Sequence, residues 1–315
     1  MLSRTASDLF WMSRYVERAE NAARMLHVSH EMSLLPQSTL DSSGWHAILI
    51  CTGTDESFQE RYGATTDRGV LRFMTLDADN PSSIYSSIYA AREAARAVRG
   101  DITTEMWETL NTTWLEVRDR ASGDLGLPEV DDFLSWVKDR SNLFRGVTFA
   151  TMLQHDPFHF TRLGTFLERA DNTARILDVK YHVLLPSVQD VGGAADYYQW
   201  GALLRSVSAF QSYRRIYRDV ITPRRVAELL ILRADMPRSL HACLDHLNNQ
   251  LPLVGRTAPT EAERLAGEVH ARLHYGRTDH IFNIGLHEYL TDFLARINQL
   301  GDQINQDFFV APACA

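Results

Sequence analysis

Two stretches of this chain are copies of each other. Residues 13–28 read SRYVERAENAARMLHV and residues 164–179 read GTFLERADNTARILDV, identical at half their positions with no gap. Further blocks return in the same order. VLRFMTLDADNPSSI at 70–84 reappears as VAELLILRADMPRSL at 226–240, and Asp132-Phe133-Leu134 reappears as Asp292-Phe293-Leu294. A repeated unit of roughly 150 residues constrains the fold more than any composition does, because each copy must form the same substructure. It predicts two tandem units, 1–155 and 156–315, packed as one globular body with a pseudo-twofold arrangement.

The pattern inside each unit is helical. Met12, Tyr15, Val16, Ala19, Ala22, Ala23 and Leu26 recur at i, i+3, i+4 and i+7, and so do Leu163, Phe166, Leu167, Ala170, Ala174 and Leu177. Thr5 with Asp8 has the spacing of a capping box, and Asp156-Pro157 reads as an N-cap followed by an N1 proline. Leu-Leu-Pro at 34–36 and 184–186 ends both helices. Further helices are expected at 43–52, 68–77, 81–99, 103–121, 129–145, 195–218, 223–233, 237–250, 260–274 and 284–307, with Pro81 and Pro237 at helix starts. No stretch alternates with a period of two between hairpin turns, so the fold class is all-α.

Projection at 100° per residue puts Glu17, Asn21 and Arg24 on one side of the first helix, with Glu20 beside them and Arg18 at the flank. Glu168, Asn172 and Arg175, with Asp171 and Arg169, hold the same places in the second copy. The bland reading is a solvated face laced with Glu20–Arg24 and Asp171–Arg175 pairs. Exact repetition of Glu, Arg, Asn and Arg weighs against it, because residues facing bulk water drift freely. A buried polar network or a ligand site remains. A second constellation is Tyr213, Arg214 and Arg218, with Arg215, Arg224, Arg225 and Arg238 nearby; guanidinium groups at such spacing suit a carboxylate or phosphate.

Several chemistries are disfavoured. With 32 basic and 40 acidic residues the net charge is −8, so neither nucleic acid nor an anionic membrane is an expected partner. No apolar run reaches the ~20 residues of a membrane span, and the expected location is the cytoplasm. The three cysteines, Cys51, Cys243 and Cys314, form no C-x-x-C pair and suit a reducing compartment. No Glu-x-x-His pair or His-Glu-x-x-His motif occurs. His270 and His274 stand at i,i+4 without an evident third ligand, and His27 with His30 is equally weak, so no metal is expected. No Gly-rich phosphate loop or Gly-x-Ser-x-Gly elbow is present, so ATP binding by this chain is not expected either.

The ERAENAAR and ERADNTAR segments, FMTLDADNPSSI, AREAARAVRGDITTEMWETLN and YRRIYRDVITPRRVAELLIL together resemble the alpha-E family, bacterial helical proteins with a Glu-Arg motif. The resemblance spans essentially the whole chain. Its motif falls on Glu17-Arg18 and Glu168-Arg169; Ala94 departs from the family pattern, where Asn is expected. Such proteins are encoded beside, or fused to, a circularly permuted ATP-grasp ligase. The resemblance therefore implies a helical component of an amide- or peptide-forming system that docks the ligase and holds an amino acid or peptide, with ATP and Mg on the partner. Two alternatives stand beside it: a transferase using Glu17 or Glu168 as general base, and a structural homodimer.

Overall fold

A computed structural model describes residues 1–33, 43–121, 129–182, 193–254 and 258–310. Every regular element among the described residues is helical. In order these are α1 (Ser3–Ser33), α2 (Ser43–Thr52), α3 (Asp55–Tyr62), α4 (Asp67–Thr75), α5 (Ile84–Ala97), α6 (Thr104–Ala121), α7 (Val130–Thr151) and α8 (Asp156–His182). They are followed by α9 (Ala194–Ser206), α10 (Phe210–Tyr217), α11 (Pro223–Ala227), α12 (Leu240–Gln250), α13 (Glu261–His274), α14 (Thr278–Ile284) and α15 (Leu286–Ile304). One π-helical turn, Glu228–Leu232, extends α11 and another, Asn305–Phe309, extends α15.

The long helices α1 and α8 form the centre. Each is buried around most of its circumference, which an ordinary amphipathic surface helix never is. Alongside α1 lie α5 and α7, with α6 over both; alongside α8 lie α12 and α15, with α13 over both. The next helices cross over, α2 packing on α8 as well as α1, and α9 on α1 as well as α8. One hydrophobic core accordingly draws on both ends of the chain, joining Leu9 and Phe10 to Leu163, Phe166, Leu240 and Phe308. A second lies within the first half, around Leu26, Trp45, Phe73 and Phe133.

Helix α1 meets α8 closely because residue 164 is glycine. A Cβ there would collide with the Phe10 carbonyl oxygen and the Ser13 hydroxyl. Contacts then advance along both helices together, Gly164 against Phe10 and Ser13 and, further on, Arg169 against Glu17, so the two run in the same direction.

Most boundaries follow the sequence reading, with a few exceptions. Pro81 and Pro237 lie outside their helices; Ser83 and Ser239 are the N-caps, accepting from Ser86 N at 3.0 Å and Ala242 N at 2.9 Å. Thr5 and Asp156 lie inside helices rather than capping them. The helix expected over 195–218 breaks between α9 and α10, where Ser208 adopts φ +55°. That over 284–307 begins only after Gly285 at φ +109°. Helices α3 and α14 have no counterpart in the periodicity reading. Both Leu-Leu-Pro segments and Cys314 lie outside the described residues.

Candidate functional site

Glu17 and Glu168 sit at the α1–α8 contact, 1% and 2% exposed. Each takes its guanidinium from the other helix. Arg169 donates to Glu17 from Nε and Nη2, both at 2.9 Å; Arg18 donates to Glu168 from Nε at 2.7 Å and Nη2 at 3.2 Å. These reciprocal forks place two donors on two acceptors, the strongest geometry for such a pair. The polar side that projection put on one face is thus turned inward.

Around Glu17 the cluster is closed. Arg145 of α7 donates to Glu17 Oε2 at 2.9 Å and also bonds Glu20. Glu20 further accepts from Ser141 Oγ at 2.7 Å, Arg24 Nε at 2.8 Å and Arg238 Nη2 at 2.5 Å. Arg238, just before the start of α12, also donates to Asn21 Oδ1 at 3.1 Å and lies 3.2 Å from Glu17. Arg24 spends Nη1 on the Ser206 carbonyl at 2.7 Å and Ser208 Oγ at 2.8 Å, groups exposed by the break after α9. Burial alone would push the Glu17 carboxyl up, but Arg169, Arg238 and Arg145 outweigh it and hold it down at about 2. Glu20 is likewise buried yet held well below the carboxylate range by Arg238, Arg145 and Arg24.

Around Glu168 the cluster opens. Arg14 adds a bond from Nε to Oε2 at 2.7 Å, while Asp171 is engaged by Arg175 at 2.7 and 3.1 Å. Arg175 also reaches the Cys51 carbonyl at 2.9 Å, and Asn172 Nδ2 donates to the Glu168 carbonyl at 2.8 Å. Beside these groups lies a cleft of about 280 Å³, bounded opposite by Ser82, Thr52 and Met74. Arg14, Arg18 and Arg175 against Glu168 and Asp171 leave it one positive charge in excess. Arg18 commits two N–H groups to Glu168 out of the five a guanidinium carries. Burial raises the Glu168 carboxyl, but Arg14 and Arg18 outweigh that and its pKa falls below the usual range.

Those directions count against a general base. A catalytic carboxyl working near neutrality must be lifted toward 7, whereas Glu17 and Glu168 are both lowered. Buried Cys243 is no better as a nucleophile, since burial pushes its thiol up to about 12.

The structure brings Glu17, Arg18, Asn21, Arg24, Glu168, Arg169, Asn172 and Arg175 together at the central helices. Tyr213, Arg214 and Arg218 lie elsewhere. Tyr213 is fully buried, donating to the Val220 carbonyl at 2.9 Å and accepting from Thr222 N at 3.0 Å, so it pins the turn after α10. Arg214 and Arg218 are exposed and give no hydrogen bond to the cluster; Arg218 ends α10 in the left-handed conformation, at φ +50°. Arg14, Ser141 and Arg145 escaped sequence reasoning. Arg14 faces Thr165 in the repeat alignment and the other two fall outside the repeated blocks, so repetition gave no signal.

The molecule is therefore an all-helical domain centred on two parallel helices that exchange buried Glu–Arg pairs. Residues 1–309 match Alpha-E, described as a predicted alpha-helical domain with a conserved ER motif, and the chain belongs to that family. It is similar to the uncharacterized protein Mb2597 of Mycobacterium bovis, 28% identical over 316 residues that cover 94% of this chain and 35% of the relative. Uncharacterized protein Rv2567 of Mycobacterium tuberculosis is 27% identical with the same coverage. The chain thus spans about a third of the length of these relatives. No solved structure matches it. No described helix is long and apolar enough to cross a membrane.

Proposed function

We propose that this chain is the substrate-holding helical component of an ATP-grasp-linked amide-forming system, and that the cleft beside Glu168 receives the carboxylate or phosphate of an amino-acid or peptide substrate. One observation carries the reading. Aligned without gaps, the block at 70–84 sets Ser82 opposite Arg238 of the block at 226–240. Arg238 plugs the cluster around Glu17, and the short Ser82 side chain leaves the matching place beside Glu168 open. On this reading the two halves, 1–155 and 156–315, are pseudo-twofold copies with divided labour. Matched packing supports that: α5, α6 and α7 stand to α1 as α12, α13 and α15 stand to α8. The cluster around Glu17 is filled and structural; the one around Glu168, lined by residues of both halves, keeps a binding site.

The excess positive charge and the spare N–H groups of Arg14 and Arg18 suit an anion, and Ser82 at the entry to α5 adds a helix N-terminus. Asp171 supplies an acceptor for an ammonium group. ATP and Mg stay with the ligase, which in this family resemblance is a separate or fused partner; relatives nearly three times as long leave room for fusion. Ser82→Arg tests the idea by supplying the plug that Arg238 provides. With the ligase present, ATP-dependent phosphate release across amino acids and peptides is expected to fall ~10-fold or more, the loss of about one charge-assisted hydrogen bond. A melting curve like wild type confirms that the variant folds. Unchanged phosphate release by a folded Ser82→Arg chain would overturn the reading.

A further inference from the structure

His270 and His274 lack a third ligand on sequence, and the fold supplies one. Helices α12 and α13 pack together, and His241, the second residue of α12, meets the last turn of α13 where His270 and His274 share a face. The three ring centroids form a near-equilateral triangle with sides of 5.4, 5.6 and 5.6 Å. One nitrogen from each ring lies within 4.8 Å of the other two. Around a tetrahedral ion with bonds of ~2.0–2.1 Å, such nitrogens stand roughly 3.4 Å apart, so small side-chain rotations complete the site.

The surroundings prepare two of the rings as ligands. The Leu232 carbonyl, at the end of the π-helical turn, lies 2.7 Å from His241 Nδ1. A carbonyl oxygen only accepts, so Nδ1 carries the proton and Nε2 keeps its lone pair. Asp245 Oδ1 lies 2.6 Å from His270 Nε2, the carboxylate–imidazole contact that orients a metal-binding ring. The same oxygen is 3.6 Å from His241 Nε2, so a negative charge stands beside the position of the ion. His241 is buried and His274 exposed, which gives an ion a route from solvent. The arrangement belongs to one half only: Tyr85 follows Ile84 where His241 follows Leu240.

We propose that His241, His270 and His274 form a site for a divalent transition-metal ion, zinc foremost, with a fourth position open to water. Three imidazoles select borderline ions of this kind over magnesium and calcium. The ion would tie the start of α12 to the end of α13, on the segment that carries Arg238 into the Glu17 cluster. The proposal does not depend on the cleft beside Glu168.

The test is a titration of the untagged, metal-stripped chain with zinc chloride by calorimetry, and with cobalt(II) by visible absorption. One ion per chain and the intense visible band of tetrahedral cobalt are expected. His274→Ala, at an exposed position, and His270→Ala should each weaken zinc binding by ~10-fold or more. His280→Ala, exposed on the neighbouring α14, should bind as wild type. No binding at micromolar zinc would overturn the proposal, as would an affinity unchanged in both His270→Ala and His274→Ala.

Discussion

At the scale of single residues, Glu17 is among the most heavily engaged groups of the described residues. It is fully buried and engaged by Arg169, Arg145 and Arg238 at once. Removing one member of such a network strands charges that water cannot reach, so Glu17→Ala is expected to cost about 3–5 kcal/mol in urea unfolding. Arg18→Ala should cost less, because that side chain keeps 28% of its surface in solvent. The identity of these residues was legible because both copies carry them. Repetition also argued that they turn away from bulk water; their partners were not legible, because helical projection cannot say which polar side will meet another. Arg238 shows the limit best. Its sequence neighbourhood suggested an anion site, whereas α12 delivers it to two carboxylates.

At the scale of elements, the crossing of α1 and α8 sets the register of every pair in the cluster, and Gly164 sets the crossing. The obstacle to a side chain there includes the backbone carbonyl of Phe10, which cannot rotate aside. Gly164→Ala is expected to destabilise by about 1–3 kcal/mol, as overpacking of a close contact does. Gly146→Ala in α7, where an added Cβ meets nothing within 4 Å, should instead stabilise by roughly 0.4–1 kcal/mol. Thermal melts of the two variants should move in opposite directions. Periodicity found most helices but not the break after α9. No proline or glycine marks that break, and Ser208 holds its positive φ where Arg24 bonds both Ser206 and Ser208. Its partner lies 182 residues away, beyond any local window.

At the scale of the whole molecule, the buried charges make stability depend on acid. Glu17, Glu20 and Glu168 all have folded pKa values below the ordinary 4.5, so the unfolded chain binds more protons as pH falls past that value. Their stabilisation is complete above pH 4.5 and is lost as pH drops toward 2. His246 adds an earlier loss: burial, aided by Arg162 and Arg169, lowers it from 6.5 to about 4. Urea midpoints should therefore decline gently from pH 6.5 and steeply below 4.5; a flat profile down to pH 3 would contradict the network. Synthesis feels the same architecture. Glu17 waits 152 residues for Arg169, and Glu20 waits 218 for Arg238. A nascent chain leaving the ribosome thus holds α1 without these interhelical partners, with only Arg24 beside Glu20, until residue 238 has emerged. That helix can settle only late, and a truncated product would keep it hydrated and open to proteases.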